Sequence, residues 1–139
     1  MTKILHVNIN VLQLDRSIAF YAEALGFQLV ERHEATGYQE GDLRVAYLRG
    51  PDCPIEIELS EYAGRHEPYD YGGGKFGFAH FAVCVDDLEQ EHRRLSRLAS
   101  TITPIEDYVA NGRRMSRYFF MRDPDGFPIE VIERNDRYR

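Results

Sequence analysis

The stretch "LHVNINVLQLDRSIAFYAEAL" (5–25) returns in altered form as "AHFAVCVDDLEQEHRRLSRLA" (79–99). An offset of 80 − 6 = 74 sets His6 on His80, Ile9 on Val83, Val11 on Val85 and Leu14 on Leu88. In both copies a two-residue alternation gives way to a spacing of three and four, the pattern of a strand running into a helix. In the first copy Asp15 is placed to cap the helix, Ile18, Tyr21, Ala22 and Leu25 recur on one side, and Gly26 supplies the stop. In the second, Asp86 or Asp87 caps, and Leu88, His92, Leu95 and Leu98 form the stripe, with His92 a packing residue.

Each copy is followed by three strand-like runs separated by turn residues: "FQLVER", "LRVAYLR" and "IEIELS", then "STITPI", "SRYFFMR" and "PIEVIE". The chain therefore reads as α+β, two βαβββ modules forming curved mixed sheets with helices outside, paired around a concave site. Module one covers about 1–60 and module two about 79–134 of a single domain 1–139. The connection, about 61–78, carries Tyr- and Gly-rich sequence between them.

Strand parity sorts the side chains. Ile55, Ile57 and Leu59, and Ile129 and Val131, are placed to pack under the helices. The opposite parity sends His6, Asn8 and Asn10 to the concave side, together with His80, Glu58 and Glu130. In "DPDGFPIEVIE" (123–133), Asp123, Asp125 and Gly126 read as a turn, and Glu130 as a carboxylate that must be exposed, paired or bound to a metal. Imidazole nitrogens with carboxylate oxygens suit a divalent first-row metal, with nickel, zinc, cobalt, manganese and iron all compatible. The second carboxylate has two candidates: the internal repeat "PIE" (54–56 against 128–130) selects Glu56, and Glu58 lies two residues on along the same face.

Composition excludes several classes. A chain of 139 residues, 43% hydrophobic, suits one compact domain, since this size buries roughly two-thirds of the unfolded surface. A net charge of −6 argues against a nucleic-acid partner, which demands a basic face. No run approaches the roughly 20 apolar residues of a membrane span, and the opening "MTKILHVNINV" lacks an apolar export segment. Cys53 and Cys84 are too few for a disulfide framework, and Cys84, inside "AHFAVCV", reads as a small buried hydrophobe. The expectation is a cytoplasmic protein with a small-molecule partner.

"LHVNINV" with "DRSIAFYAEALGF", the run "FGFAHFAVCV" and above all "DPDGFPIEVIE" resemble the vicinal-oxygen-chelate superfamily, and within it glyoxalase I (lactoylglutathione lyase). The resemblance spans essentially the whole chain. It implies one divalent metal ion per site, held by His6, Glu58, His80 and Glu130, with modules pairing across a homodimer interface. It also implies that Glu130 and Glu58 act as general base and acid. The hemithioacetal of an α-ketoaldehyde, such as methylglyoxal with glutathione or another thiol, would pass through an enediolate to an S-2-hydroxyacyl thiol. Glutathione-binding members carry an arginine on the first strand and an asparagine just after the second ligand, where this chain has Asn10 and Tyr62. Arg114 and Met115 match the region that meets the glycyl carboxylate, and Arg65 adds charge from the connection.

Two other classes lie within the same resemblance. An extradiol-type dioxygenase or a fosfomycin-type transferase uses a three-ligand set, which an inward carboxylate on the fourth strand disfavours. A non-catalytic small-molecule-binding protein of the bleomycin-sequestering kind typically lacks the ligand set, which this chain keeps.

Overall fold

The structure, a computed structural model, describes residues 1–38, 41–64, 67–68, 70–71, 74 and 76–138. The chain divides into two compact units, Met1–Pro68 and Tyr69–Arg139. Unit 1 runs β1 (His6–Asn10), α1 (Leu14–Leu25), β2 (Gln28–Ala35), β3 (Leu43–Arg49) and β4 (Glu56–Tyr62). Its mixed sheet has the order β1-β4-β3-β2, parallel between β1 and β4 and antiparallel elsewhere. The connection through α1, β2 and β3 is the crossover that the parallel pair requires. Strand β4 extends two residues into the expected connection.

The rows of this sheet alternate strictly. Val7, Ile57 and Leu48 form one row and Ile9, Leu59 and Ala46 another. Ile57, Leu48, Ile9, Leu59 and Ala46 are buried, on the side where α1 lies against β3 and β4. Helix α1 buries Leu14, Ser17, Phe20, Tyr21 and Ala24. This corrects the stripe expected from spacing: Tyr21 alone is shared with it, Ile18 and Leu25 are half-buried and Ala22 is exposed. The buried face is set by the start at Leu14, itself fully buried. Asp15 is likewise not the cap. It sits in the first turn with Arg32 2.6 Å away and Arg44 at 3.4 Å, and the Arg32 hydrogen bond holds its carboxyl below the usual range. The capping acceptor comes from the sheet instead, where Glu61 Oε2 accepts the Leu14 N–H at 2.7 Å. Gly26 ends the helix in the left-handed region at φ 70°, as its missing Cβ permits.

Unit 2 repeats the plan with β5 (Phe81–Val85), α2 (Leu88–Leu95), β6 (Thr101–Ile102), β7 (Glu106–Ala110), β8 (Arg113–Arg122) and β9 (Pro128–Glu133). The order is β5-β9-β8-β6, with β7 also paired to β8 and β5 parallel to β9. Asp87 caps α2, its carboxylate accepting the Gln90 N–H at 2.9 Å. Buried Phe119, Met121, Ile129 and Val131 form the core beneath Leu88 and Leu95. His92 Nε2 donates to the Thr103 carbonyl at 2.8 Å, and its ring stands edge-on to Phe119. Asp123 is buried, and its Oδ1 accepts the N–H groups of Asp125 and Phe127, closing the turn into β9.

Two expectations need correction here. "STITPI" forms only a two-residue strand, because Pro104 lacks the N–H needed to continue the ladder. The partner edge of β8 is taken up again by β7, joined to it through Asn111 and Gly112, both at positive φ. "NGRRM" (111–115) thus opens with the hairpin turn and runs on into β8. Cys84 is exposed, not a buried hydrophobe, since alternation along β5 puts it on the same side as Ala82 and opposite Val83 and Val85.

Candidate functional site

On the sheet face away from α1, unit 1 presents three polar rows: His6, Glu56 and Arg49; Asn8, Glu58 and Tyr47; Asn10, Ser60 and Val45. His6 Nε2 reaches diagonally across its row to Glu58 Oε2 at 2.8 Å. Glu56, directly opposite His6 in register, is paired instead with Arg49. The equivalent face of unit 2 places Ala82, Glu130 and Phe120 in one row. His80, two residues before Ala82, has Nε2 3.1 Å from Glu130 Oε2. Register makes Glu58 the counterpart of Glu130: Asn8 opposes one and Ala82 the other, and 82 − 8 is the same 74 that relates the histidines.

Both pairs are accessible yet anchored. The carboxylates are 17% and 19% exposed, the imidazoles 41% and 35%. Tyr47 stands edge-on to His6, with ring centroids 5.8 Å apart, and Phe120 does the same to His80 at 5.0 Å. Burial, then the neighbouring Glu58 carboxylate that its hydroxyl bonds, push the Tyr47 hydroxyl above its ordinary value, so it is a protonated donor at neutral pH. Tyr118, bonded to Glu106 at 3.2 Å, is raised by burial and by that bond.

The donor set fits a metal ion as two halves. Donors 2.0–2.2 Å from a common ion and at right or tetrahedral angles lie about 2.8–3.6 Å apart, a span that includes both observed separations, which are also those of hydrogen bonds. Among the described residues no third histidine, cysteine, aspartate or glutamate joins either pair. Each unit therefore offers one nitrogen and one oxygen.

Of the other expected site residues, Asn10 pairs in register with Ser60, and Tyr62 ends β4 on the parity of Glu58. Arg114 and Met115 lie in β8, Arg114 with Nη1 3.9 Å from Asp107 and Met115 accepting from Arg113 at 3.8 Å. Six residues separate Arg114 from Phe120, about 20 Å of extended strand, so within unit 2 these two residues are not gathered at the His80–Glu130 pair. Arg65 lies outside the described residues. Reasoning from sequence missed Tyr47, whose place opposite Glu58 appears only once β3 and β4 are paired.

A family model for the Glyoxalase/Bleomycin resistance protein/Dioxygenase superfamily matches residues 3–131. The chain belongs to this superfamily. Among its relatives, the lactoylglutathione lyase of Salmonella typhimurium is 31% identical over 137 residues, covering 99% of this chain and 96% of its own length. A probable lactoylglutathione lyase of Vibrio parahaemolyticus is 33% identical over 131 residues, covering 94% and 90%. The structure of the trypanothione-dependent glyoxalase I of Leishmania major superposes with a TM-score of 0.66 at 27% identity, over 96% of this chain and 87% of that one. Within the superfamily, this chain is an enzyme of the lactoylglutathione lyase kind. Among the described residues no helix is long and apolar enough to cross a membrane.

Proposed function

We propose that the protein is a metal-dependent glyoxalase I, converting the hemithioacetal of an α-ketoaldehyde, methylglyoxal with glutathione or another thiol, to an S-2-hydroxyacyl thiol. The observation that carries this is the repeated His–carboxylate pair at matching register in both units. His6, Glu58, His80 and Glu130 would together hold one divalent ion, drawn from nickel, zinc, cobalt, manganese and iron. Such an ion supplies Lewis-acid stabilisation of the negative charge that builds on two neighbouring substrate oxygens.

The reaction is an isomerisation without net redox change. A proton leaves the carbon bearing sulfur and hydroxyl, an enediolate forms, and a proton is returned to the adjacent carbon. The hydroxyl carbon ends as the thioester carbonyl and the former ketone as the alcohol. Glu130 and Glu58 are the carboxylates placed to accept and return that proton. Asn10 and Tyr62 in unit 1, and Arg114 and Met115 in unit 2, are the proposed substrate contacts. The protein would act as a homodimer, each site taking one pair from each kind of unit, and two unpaired cysteines are compatible with a reducing, cytoplasmic setting.

The test is metal analysis of the purified protein, followed by assay with methylglyoxal and glutathione after loading with nickel, cobalt, zinc or manganese. Near-stoichiometric metal with thioester formation is the expected result. Failure to retain any of these metals would sink the reading, and metal retention without turnover on this pair would remove the substrate assignment.

A further inference from the structure

The same pair is built twice in different surroundings. Glu58 is flanked in register by Asn8 and Tyr47, and Glu130 by Ala82 and Phe120. Two residues further along each strand, Ser60 stands where unit 2 has Ile132. Asn8 Nδ2 donates to Glu58 Oε1 at 3.2 Å and to Ser60 Oγ at 2.8 Å. The buried Ser60 hydroxyl then donates to Glu58 Oε1 at 3.4 Å. Tyr47 stands opposite Glu58 in register and brings its hydroxyl to the same carboxylate. Three polar side chains thus converge on Glu58, and the three equivalent positions around Glu130 are an alanine, a phenylalanine and an isoleucine.

We propose that Asn8, Ser60 and Tyr47 are positioning residues for Glu58: Asn8 and Ser60 hold its Oε1 and Tyr47 stands opposite it in register, so that Oε2 is offered beside His6 in one orientation. The inference rests on the metal reading above and concerns how the first half-site is prepared for the ion. A glutamate free to rotate gives up side-chain conformational freedom when it is fixed on an ion. In unit 1 the folded chain has already fixed it. Outer hydrogen bonds of this kind commonly change metal affinity 10–100-fold.

Chelator-stripped protein titrated with cobalt(II) alone, by calorimetry, provides the test. Asn8→Ala and Tyr47→Phe together give two of the three positions around Glu58 the side chains of the second half-site. The double variant is expected to bind cobalt about 10–100-fold more weakly than the parent, with the thermal midpoint of both metal-free proteins the same. A role confined to folding would move the midpoint and leave affinity alone. Cobalt affinity within about twofold of the parent would overturn the positioning role, whereas a parent that binds no cobalt overturns the metal reading and this inference with it. Ser60→Thr, which keeps the hydroxyl, is expected to retain affinity that Ser60→Ala loses; equal affinity in the two would count against the relay through Ser60.

Discussion

Replacing one carboxylate oxygen by an amide separates chemistry from packing at the proposed site. Glu130→Gln keeps shape and the contact with His80 but removes the charge and the proton acceptor. Turnover is expected to fall by about 10²-fold or more, with weaker metal retention. His92→Ala provides the contrast. It deletes the edge contact with Phe119 and leaves the Thr103 carbonyl without its 2.8 Å partner, costing about 1–3 kcal/mol in urea unfolding while metal content stays that of the parent. Parental turnover in Glu130→Gln would remove the proton-transfer role. Repetition made His6, His80 and Glu130 legible as a set, because strand parity alone fixes their face. Choosing between Glu56 and Glu58 was harder. The histidines are related by 80 − 6 = 74 and the two register-matched glutamates by 130 − 58 = 72, so unit 2 has lost two residues between its first and last strands. A constant offset therefore lands on Glu56, which the structure gives to Arg49. Tyr47 and Asn8 were not legible as neighbours of Glu58, since they reach it from strands whose pairing the sequence does not state.

Helix α1 illustrates how an element borrows from its neighbours. With Gln13 at the N-cap making no side-chain bond, the first-turn N–H of Leu14 is satisfied by Glu61, 47 residues later on β4. Glu61 also lies 3.4 Å from Arg44. Glu61→Ala is expected to cost about 0.5–2 kcal/mol, the range of a lost cap, in chemical unfolding. Asp15→Ala, which removes only exposed ion pairs with Arg32 and Arg44, should cost less. The reverse order would return the capping role to Asp15. A local capping rule sees only residues near the helix start, so a cap delivered by a distant strand escapes it. The same limit hid β7, whose five residues are mostly exposed and carry no alternating burial. Its legible mark was Asn111–Gly112, a pair suited to two successive positive φ values in a hairpin. The cleanest elements to read were β3 and β9, found over the expected residues 43–49 and 128–133, because each is a short run rich in apolar and β-branched side chains with turn residues on both sides.

Each unit carries one nitrogen and one oxygen donor, so the proposed four-ligand site would need two units, and a twofold dimer would complete two such sites at once. Each unit also leaves large apolar side chains exposed in the single chain: Leu12, Leu29 and Val30 in the first, Phe78, Val109 and Met115 in the second. Burial of such groups is a common driving force for self-association. Light scattering at micromolar concentration is accordingly expected to report a dimer. Complementation then asks which chains furnish each site. His6→Ala disables the first half-site of its chain, and His80→Ala the second. If a site takes unit 1 from one subunit and unit 2 from the other, a mixed dimer of these variants contains one site with every ligand mutated on neither side and one with both histidines missing. With random exchange half of the dimers are mixed, so activity should return to about a quarter of the parental value from two inactive proteins. Sites formed wholly within one chain would leave every site one histidine short, and the mixture would stay inactive. Recovery therefore requires ligands shared between subunits, and its absence in a demonstrated mixed dimer would replace that arrangement with one contained in a single chain.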